Sequence, residues 1–360
     1  IRYAVYRILN LLFYKLPFMK YCVYFTEMLA LRSQKAVCII RSFEPDMVIS
    51  TYPVNLMEAR LLKAANDSDS IQTVIHMLSW DNVTTKGKFF QLAKYYIAWG
   101  EIMKNELIKA YAIKPERIFI VGVPHFDIHY QIMNGSNLVL DLENRGLDPS
   151  IPFVFFGMSS PYFSPHEIDI VERLSAWIKS GEFGELQMVV RPHPQNMQGN
   201  MADLTWLDRL KSIEGDGVFV DYPRLNNSKL SWSMQLTDML QLSALISSSA
   251  LVMNSGSTIT LDAMYLLKPV ILTAFDGEEN LPWWKSIRRV FEYEHLKNIL
   301  ALDGASKVGN YDELKQEINH YLRESAYKQK QRVQTLKMEC FRNDGHSTER
   351  AILSFSEILN

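Results

Sequence analysis

From residue 47 to residue 272, short apolar runs alternate with longer stretches whose apolar positions recur at helical spacing. In the first half, 28–43 reads as a helix that Glu44-Pro45-Asp46 ends, and 47–51 as a short buried strand. A helix over 58–65, a strand over 73–77, a strand over 95–99, a helix over 101–111 and a strand over 118–121 follow. A polar stretch, 134–150, carries Gly135, Gly146 and Pro149 and marks the best boundary. Beyond it the alternation restarts, with strands at 153–156, 186–190, 218–220, 250–253 and 269–272. Helices at 167–179, 237–243 and 260–267 lie between them, and the last ~50 residues read as helical, with charges such as Glu313, Lys315 and Glu317 on solvated faces. Strands alternating with helices predict an α/β fold with parallel sheets. The expected division is a first domain over 1–133, a linker over 134–150, a second domain over 151–335, and a C-terminal helix over 336–360 packing back on the first domain. No internal repeat interrupts this order.

A chain of 360 residues favours two such domains over one. With 48% hydrophobic and 22% charged residues the class is a packed globular enzyme. A net charge of −2 argues against nucleic acid as a partner. Cys22, Cys38 and Cys340 lie far apart without metal-ligand spacing, which fits a reducing compartment and implies no metal. No apolar run reaches the ~20 residues that span a bilayer. The opening stretch, 1–31, is rich in apolar residues (Ile1, Tyr3, Val5, Tyr6, Ile8, Leu9, Leu11–Phe13), with Arg2, Arg7, Lys15 and Lys20 interspersed and Pro17 breaking the pattern. It has no small-residue cleavage site of a signal peptide. A core helix pair and a membrane-touching amphipathic surface are the two readings, and the core is the expectation, because the apolar positions are too many for one narrow stripe. The missing initiator Met and opening strand give the expectation that residues before Ile1 have been trimmed.

Two consecutive doubly wound units place ligands outside the carboxyl ends of their strands, in one cleft where the units face each other. The candidate chemistry falls at those ends. Asn254-Ser255-Gly256-Ser257-Thr258 joins a strand to a helix: Gly256 permits a tight turn, Ser257 and Thr258 offer hydroxyls, and the helix start suits a phosphate. It also reads as an ordinary capped turn. Asp262, one turn on, is structural or reaches towards a donor. Arg191-Pro192-His193-Pro194 ends another strand, with two prolines fixing where His193 points and a cation beside it for a phosphate or leaving group. The plain alternative is a histidine satisfying a carbonyl. In 79–87, Trp80 offers a face for sugar stacking and Asp81 a carboxylate to deprotonate an acceptor hydroxyl, with Asn82 and Lys86 beside them. Capping by Asp81 and Asn82, with Trp80 packed inside, is the equal alternative. Gly122-Val123-Pro124-His125-Phe126-Asp127 fixes a turn in which His125 and Asp127 are read as structural before substrate contact. Asp276 and Glu278, after the last clear strand, bind sugar hydroxyls or end the strand.

The order Gly-x-Pro-x-x-Asp (122–127), Arg-Pro-His-Pro (191–194) and Asn-Ser-Gly-Ser-Thr with Asp262-Ala263 resembles GT-B enzymes that build bacterial surface polysaccharides. It is most similar to the CDP-glycerol glycerophosphotransferase group and to capsule and lipopolysaccharide transferases. Bacterial sialyltransferases and Kdo transferases also carry a His-Pro and a serine motif that hold CMP. The resemblance covers roughly 45–350 and its motifs are short. It implies two Rossmann-like domains, an acceptor domain first and a nucleotide-donor domain second. His193 with Ser255, Ser257 or Thr258 would contact the donor phosphate. Asn343-Asp344-Gly345 resembles the closing segment of such enzymes, whose tail packs back across the cleft. The serine motif departs from a plain serine pair, and there is no paired glutamate of the common retaining enzymes, so inversion is expected.

The leading expectation is therefore a metal-independent inverting glycosyltransferase with Asp81 as base and His193 and the serine loop steadying the leaving phosphate. Its substrates would be a nucleotide-sugar donor, CMP- or CDP-linked ahead of UDP or GDP, and a glycan or lipid-linked acceptor, with no cofactor. It would work in the cytoplasm, the opening stretch being the candidate for peripheral membrane contact. Three alternatives follow in order: a CDP-polyol phosphotransferase, a sugar-nucleotide epimerase of the UDP-N-acetylglucosamine 2-epimerase type, and a non-catalytic glycan-binding module.

Overall fold

The structure, a computed structural model, describes residues 5, 7–9, 11, 17–135, 142–197, 202–226 and 233–360. Residues 1–4, 6, 10 and 12–16 of the opening stretch, the side chains of Pro17, Lys20, Val23 and Tyr24, and 136–141 of the polar boundary lie outside the described residues. The chain forms two compact units: unit 1 is Ile1–Ala98, Glu106–Phe119 and Ile352–Asn360, and unit 2 is Trp99–Asn105 and Ile120–Ala351.

The first part of the chain runs α1 (Pro17–Leu31), α2 (Gln34–Phe43), β1 (Met47–Ser50), α3 (Leu56–Asn66), β2 (Gln72–His76), β3 (Tyr95–Ala98), α4 (Glu101–Tyr111) and β4 (Ile118–Ile120), all in unit 1 except residues 101–105 of α4 and Ile120. The sheet runs β1-β2-β3-β4, each strand beside its successor. Its first two pairings are parallel, with Val48 opposite Thr73 and Val74 opposite Tyr95. Val74, Ile75, Tyr96 and Ile97 are fully buried between the layers. The single helix expected over 28–43 is broken, because Ser33 is extended (φ −146°, ψ 110°) and its side chain accepts from Ala36 N–H to start α2. Glu44, left-handed at φ 43°, closes α2 ahead of Pro45.

The core reading of the opening stretch does not hold among the described residues. Val5, Ile8, Leu9, Leu11, Phe18, Tyr21, Phe25 and Leu29 are exposed, and Leu31 is the large apolar residue there that is buried. No helix among the described residues is long and apolar enough to cross a membrane.

Unit 2 contains α5 (Asp127–Met133), β5 (Phe153–Gly157), α6 (Glu167–Lys179), β6 (Gln187–Arg191), α7 (Pro194–Met197), α8 (Thr205–Ile213) and β7 (Val218–Val220). It continues through α9 (Leu236–Ser248), β8 (Leu251–Asn254), α10 (Ile259–Tyr265), β9 (Val270–Thr273), α11 (Glu294–Ala301) and β10 (Ser306–Val308). The helices α12 (Tyr311–Arg323), α13 (Gln329–Cys340) and α14 (Ser347–Leu359) close the chain. Its six-stranded sheet has the order β10-β9-β8-β5-β6-β7, all parallel. The chain winds outward from β5 through β6 to β7, then returns to the other side of β5 with β8. That reversal makes β5/β8 a topological switch point, where a crevice opens at the strands' carboxyl ends.

Strands β5, β6, β8 and β9 are buried along their whole length. Their near-continuous apolar runs follow from helices covering both faces of a parallel sheet. Phe156, Met188, Val190, Met253 and Ile271 form the core with Ile170, Val171 and Leu174 of α6 and Leu314 and Ile318 of α12. Strand β10 is an addition to the expected set; three residues with an exposed central Lys307 leave no readable pattern.

Candidate functional site

Loops after β5, β6 and β8 converge in unit 2 on a pocket of about 220 Å³. Met158 follows β5; Arg191, Pro192, His193 and Pro194 follow β6; Ser257, Thr258, Ile259 and Asp262 follow β8. His125 and His129 add a further side, and Met234, Met239 and Leu242 an apolar one. The volume lies below the ~300–1,000 Å³ of pockets that enclose a whole drug-sized ligand, so it suits part of a larger substrate.

The loop after β8 is shaped by the last residue of that strand. Asn254 is fully buried, and its Oδ1 accepts from Gly256 N–H and Ser257 N–H, both at 2.8 Å, and from Thr260 Oγ1 at 3.1 Å. These two amides are therefore committed to the turn, and the phosphate-binding amides expected there are fewer than the sequence indicates. Gly256 sits at φ 89°, where an added Cβ would come within 2.7 Å of Leu296 Cδ1. Ser255 faces away from the pocket. Its hydroxyl bonds Glu167 and lies 2.8 Å from Thr273 Oγ1. Ser257 and Thr258 remain as the loop's pocket-lining hydroxyls.

Arg191 is 3% exposed and ion-paired with both Asp221 and Asp238, themselves buried. Gln241 also donates to Asp221, and Arg224 N–H donates to Asp238 at 3.0 Å. The guanidinium charge is thus balanced inside the wall. His193 behaves differently. The surrounding protein pushes its pKa from the ordinary 6.5 down to about 4, because burial disfavours the charged ring. Gln195 N–H donates to its Nδ1 at 3.1 Å, so the neutral ring carries its hydrogen on Nε2. The loop therefore presents an uncharged N–H donor.

Two groups that the sequence reading did not single out support the site, His129 in the pocket wall and Glu167 behind it, against Ser255. His129, 3% exposed, lies 2.9 Å through Nε2 from Asp262 Oδ1 and 2.8 Å through Nδ1 from Ser243 Oγ. A carboxylate only accepts, so Nε2 carries the hydrogen and Nδ1 accepts from the serine. Glu167, fully buried at the start of α6, accepts from Ser159 N–H at 2.5 Å. Burial raises its pKa to about 7. A histidine two residues after Asp127 and an acid opening a helix were their only sequence signals.

The remaining candidates lie elsewhere. Asp276 is buried, taking Ser286 Oγ and, at 2.8 Å, Ile287 N–H, and so ties down its own loop rather than meeting a sugar. Glu278 pairs with Arg173 at 2.6 Å on the surface. Asp127 accepts from Ser347 N–H at 3.0 Å and Thr348 N–H at 2.8 Å, capping α14. Asn343 Nδ2 and Gly345 N–H donate to Tyr265, so this closing segment is held on α10.

In unit 1, Trp80 is 4% exposed and packs inside rather than offering a stacking face. Asn82 is also buried. Asp81 accepts from Ser79 Oγ at 2.6 Å and pairs with Lys86 at 3.0 Å. Among the described residues no group of three His, Cys, Asp or Glu could hold a metal ion.

No protein-family model matches the chain, and no curated protein matches it in sequence. Solved structures do match in fold. A Listeria monocytogenes protein assigned as a UDP-N-acetylglucosamine 2-epimerase aligns over 92% of this chain and 78% of its own, at TM-score 0.59 and 12% identity. The Neisseria meningitidis UDP-GlcNAc 2-epimerase, bound to UDP-GlcNAc, aligns over 92% and 81%, at TM-score 0.58 and 14% identity. The wall teichoic acid polymerase TagF, soaked with CDPG, aligns over 87% and 72%, at TM-score 0.52 and 12% identity. The fold of this chain is thus GT-B, with two Rossmann-like parallel-sheet domains.

Proposed function

We propose that the chain is a sugar-nucleotide enzyme that inverts a stereocentre of the sugar while unit 2 holds the nucleotide's phosphates. The observation that carries this reading is the pocket at the β5/β8 switch point, in a fold shared with an epimerase solved with UDP-GlcNAc. The neighbours favour this alternative over the transferase that the sequence placed first. The neutral His193 Nε2–H and the Ser257 and Thr258 hydroxyls donate to anionic phosphate oxygens. An uncharged donor avoids the penalty of burying an ion. Asp262, oriented by His129, accepts from a substrate hydroxyl. Arg191 stiffens the β6 end instead of serving as counter-ion, its charge being met by Asp221 and Asp238.

In the proposed route the hydrogen at the carbon next to the anomeric centre leaves as a proton, and its electron pair forms a C=C bond as the anomeric C–O bond to the nucleoside diphosphate breaks. The diphosphate then re-adds as a proton is delivered to the opposite face. Solvent deuterium therefore enters the product. Incubation with UDP-N-acetylglucosamine in D₂O, without acceptor, is expected to yield a second epimer deuterated at the inverted carbon by NMR. The His193→Ala variant should lose this.

Transfer to a glycan or lipid-linked acceptor, or of a polyol phosphate, is the second reading, supported by the fold shared with TagF and the motif resemblance. It uses Asp81 as base and proceeds with inversion in the cytoplasm. No turnover of lone sugar nucleotides, with CMP released from CDP-glycerol only when acceptor is added, would replace the first reading with this one.

A further inference from the structure

Helix α1 turns an apolar face to solvent. Phe18, Tyr21, Phe25 and Leu29 are 74, 74, 64 and 47% exposed. Steps of three, four and four residues, at roughly 100° each, set all four within an arc of about 80° on one side of the helix. Helix α1 contacts α3, and Arg60 Nε donates to Ala30 O at 2.9 Å, anchoring its end. Upstream, Val5, Ile8, Leu9 and Leu11 are also exposed, as is Phe43 at the end of α2. So much bare apolar surface on one helical segment marks a contact surface.

Charge identifies what the surface meets. Residues 1–43 hold seven Lys or Arg and one acid, Glu27, a net +6 in a chain of −2, so residues 44–360 carry −8. Glu27 is itself paired with Lys88 at 2.8 Å. Just past α1, Arg32, Arg60 and Lys63 line an open hollow of about 350 Å³ with Ser33, Gln34 and Asp67, the last paired with Lys63, so the hollow keeps a net positive charge from Arg32 and Arg60. A second copy laid face to face would set two segments of like positive charge against each other. A partner that is apolar within and anionic at its surface satisfies both features.

We propose that the α1 face docks on an anionic lipid bilayer. Phe18, Tyr21, Phe25 and Leu29 enter the boundary between headgroups and acyl chains, and Arg32 with the cations of the hollow meets the lipid phosphates. Helix α1 lies in the interface plane without spanning it.

Vesicle flotation of the full chain tests this, using phosphatidylcholine alone and an equimolar mixture with phosphatidylglycerol. The chain is expected to float with the mixed vesicles, about tenfold less with the neutral ones, and less at high salt. Two variants separate the contributions. Phe18→Ser with Phe25→Ser removes the insertion. Arg32→Glu with Lys35→Glu reverses exposed charge without touching the apolar face, and each should lower flotation by about tenfold or more with unchanged circular dichroism. A chain that stays at the bottom with both vesicle types overturns the proposal. So does flotation that neither variant changes, or a dimer by light scattering that the phenylalanine variant makes monomeric.

Discussion

The loop after β2 in unit 1 and the loops after β6 and β8 in unit 2 leave parallel strands at equivalent places, yet they use their polar side chains differently. After β2, Asp81 takes Ser79 and Lys86, Asn82 is buried and Trp80 packs inside, so the loop's groups are engaged with one another or with the core. After β6 and β8, the demands are met from outside the loops. Asp221 and Asp238 hold Arg191, and Asn254 holds the turn. His193, Ser257, Thr258 and Asp262 are thereby left lining a pocket. A strand end with polar residues is therefore only an opportunity. It becomes a site when neighbouring elements supply the scaffold.

The largest effect should come from removing that scaffold. Arg191→Met leaves buried Asp238 without its cation and Asp221 with Arg145 alone, at 3.4 Å, and is expected to destabilise unit 2 by about 3–5 kcal/mol in urea unfolding. A loss below about 1 kcal/mol would mean that Arg191 is not the brace described, and the contrast with the β2 loop would fail.

The pH dependence sharpens the comparison inside unit 2. With its pKa lowered from 6.5 to about 4, His193 takes up a proton first in the unfolded chain. Its contribution to stability is lost as pH falls from about 6.5 to 4, and His193→Gln should flatten that slope. Glu167, raised from 4.5 to about 7, has the opposite sign. Its contribution is complete below pH 4.5 and is lost as pH rises through about 7, so Glu167→Gln should be more stable than the parent chain in alkaline buffer. Urea midpoints measured from acid to alkaline pH read both slopes.

The smallest change is expected in unit 1. Asp81→Asn breaks a partly exposed ion pair and should shift stability by no more than about 1 kcal/mol. Its effect on turnover is the informative part. Retention of the epimerase activity fits the proposed function, whereas a loss of ~100-fold or more would restore Asp81 as a base.

Much of the fold was legible because long periodic helices and fully buried strands announce themselves. The helices Glu101–Tyr111 and Glu167–Lys179 and the strand Val218–Val220 match the sequence expectation residue for residue. The break at Ser33 was hidden, because apolar positions run through it and only a single capping hydroxyl marks it. Helix α9 runs on to Ser248, past the expected end at Ser243, through the apolar residues 244–246 that a buried helix and a strand share. At the site, the residues written beside strand ends were legible. His129 and Glu167 were not, since their roles come from groups 133 and 88 positions away.

Asn254 fixes the backbone of the β8 turn from one position outside it, its single side-chain oxygen accepting from two backbone amides, Gly256 and Ser257, and from Thr260 Oγ1. A ligand arriving there finds no loop to order, so the entropic penalty of association falls mainly on the ligand's own freedom. The same arrangement separates shape from selectivity. As long as Asn254 and Gly256 persist, the side chains at 257 and 258 are free to change without altering the path of the chain, and relatives could exchange substrates by retuning two positions on a fixed frame.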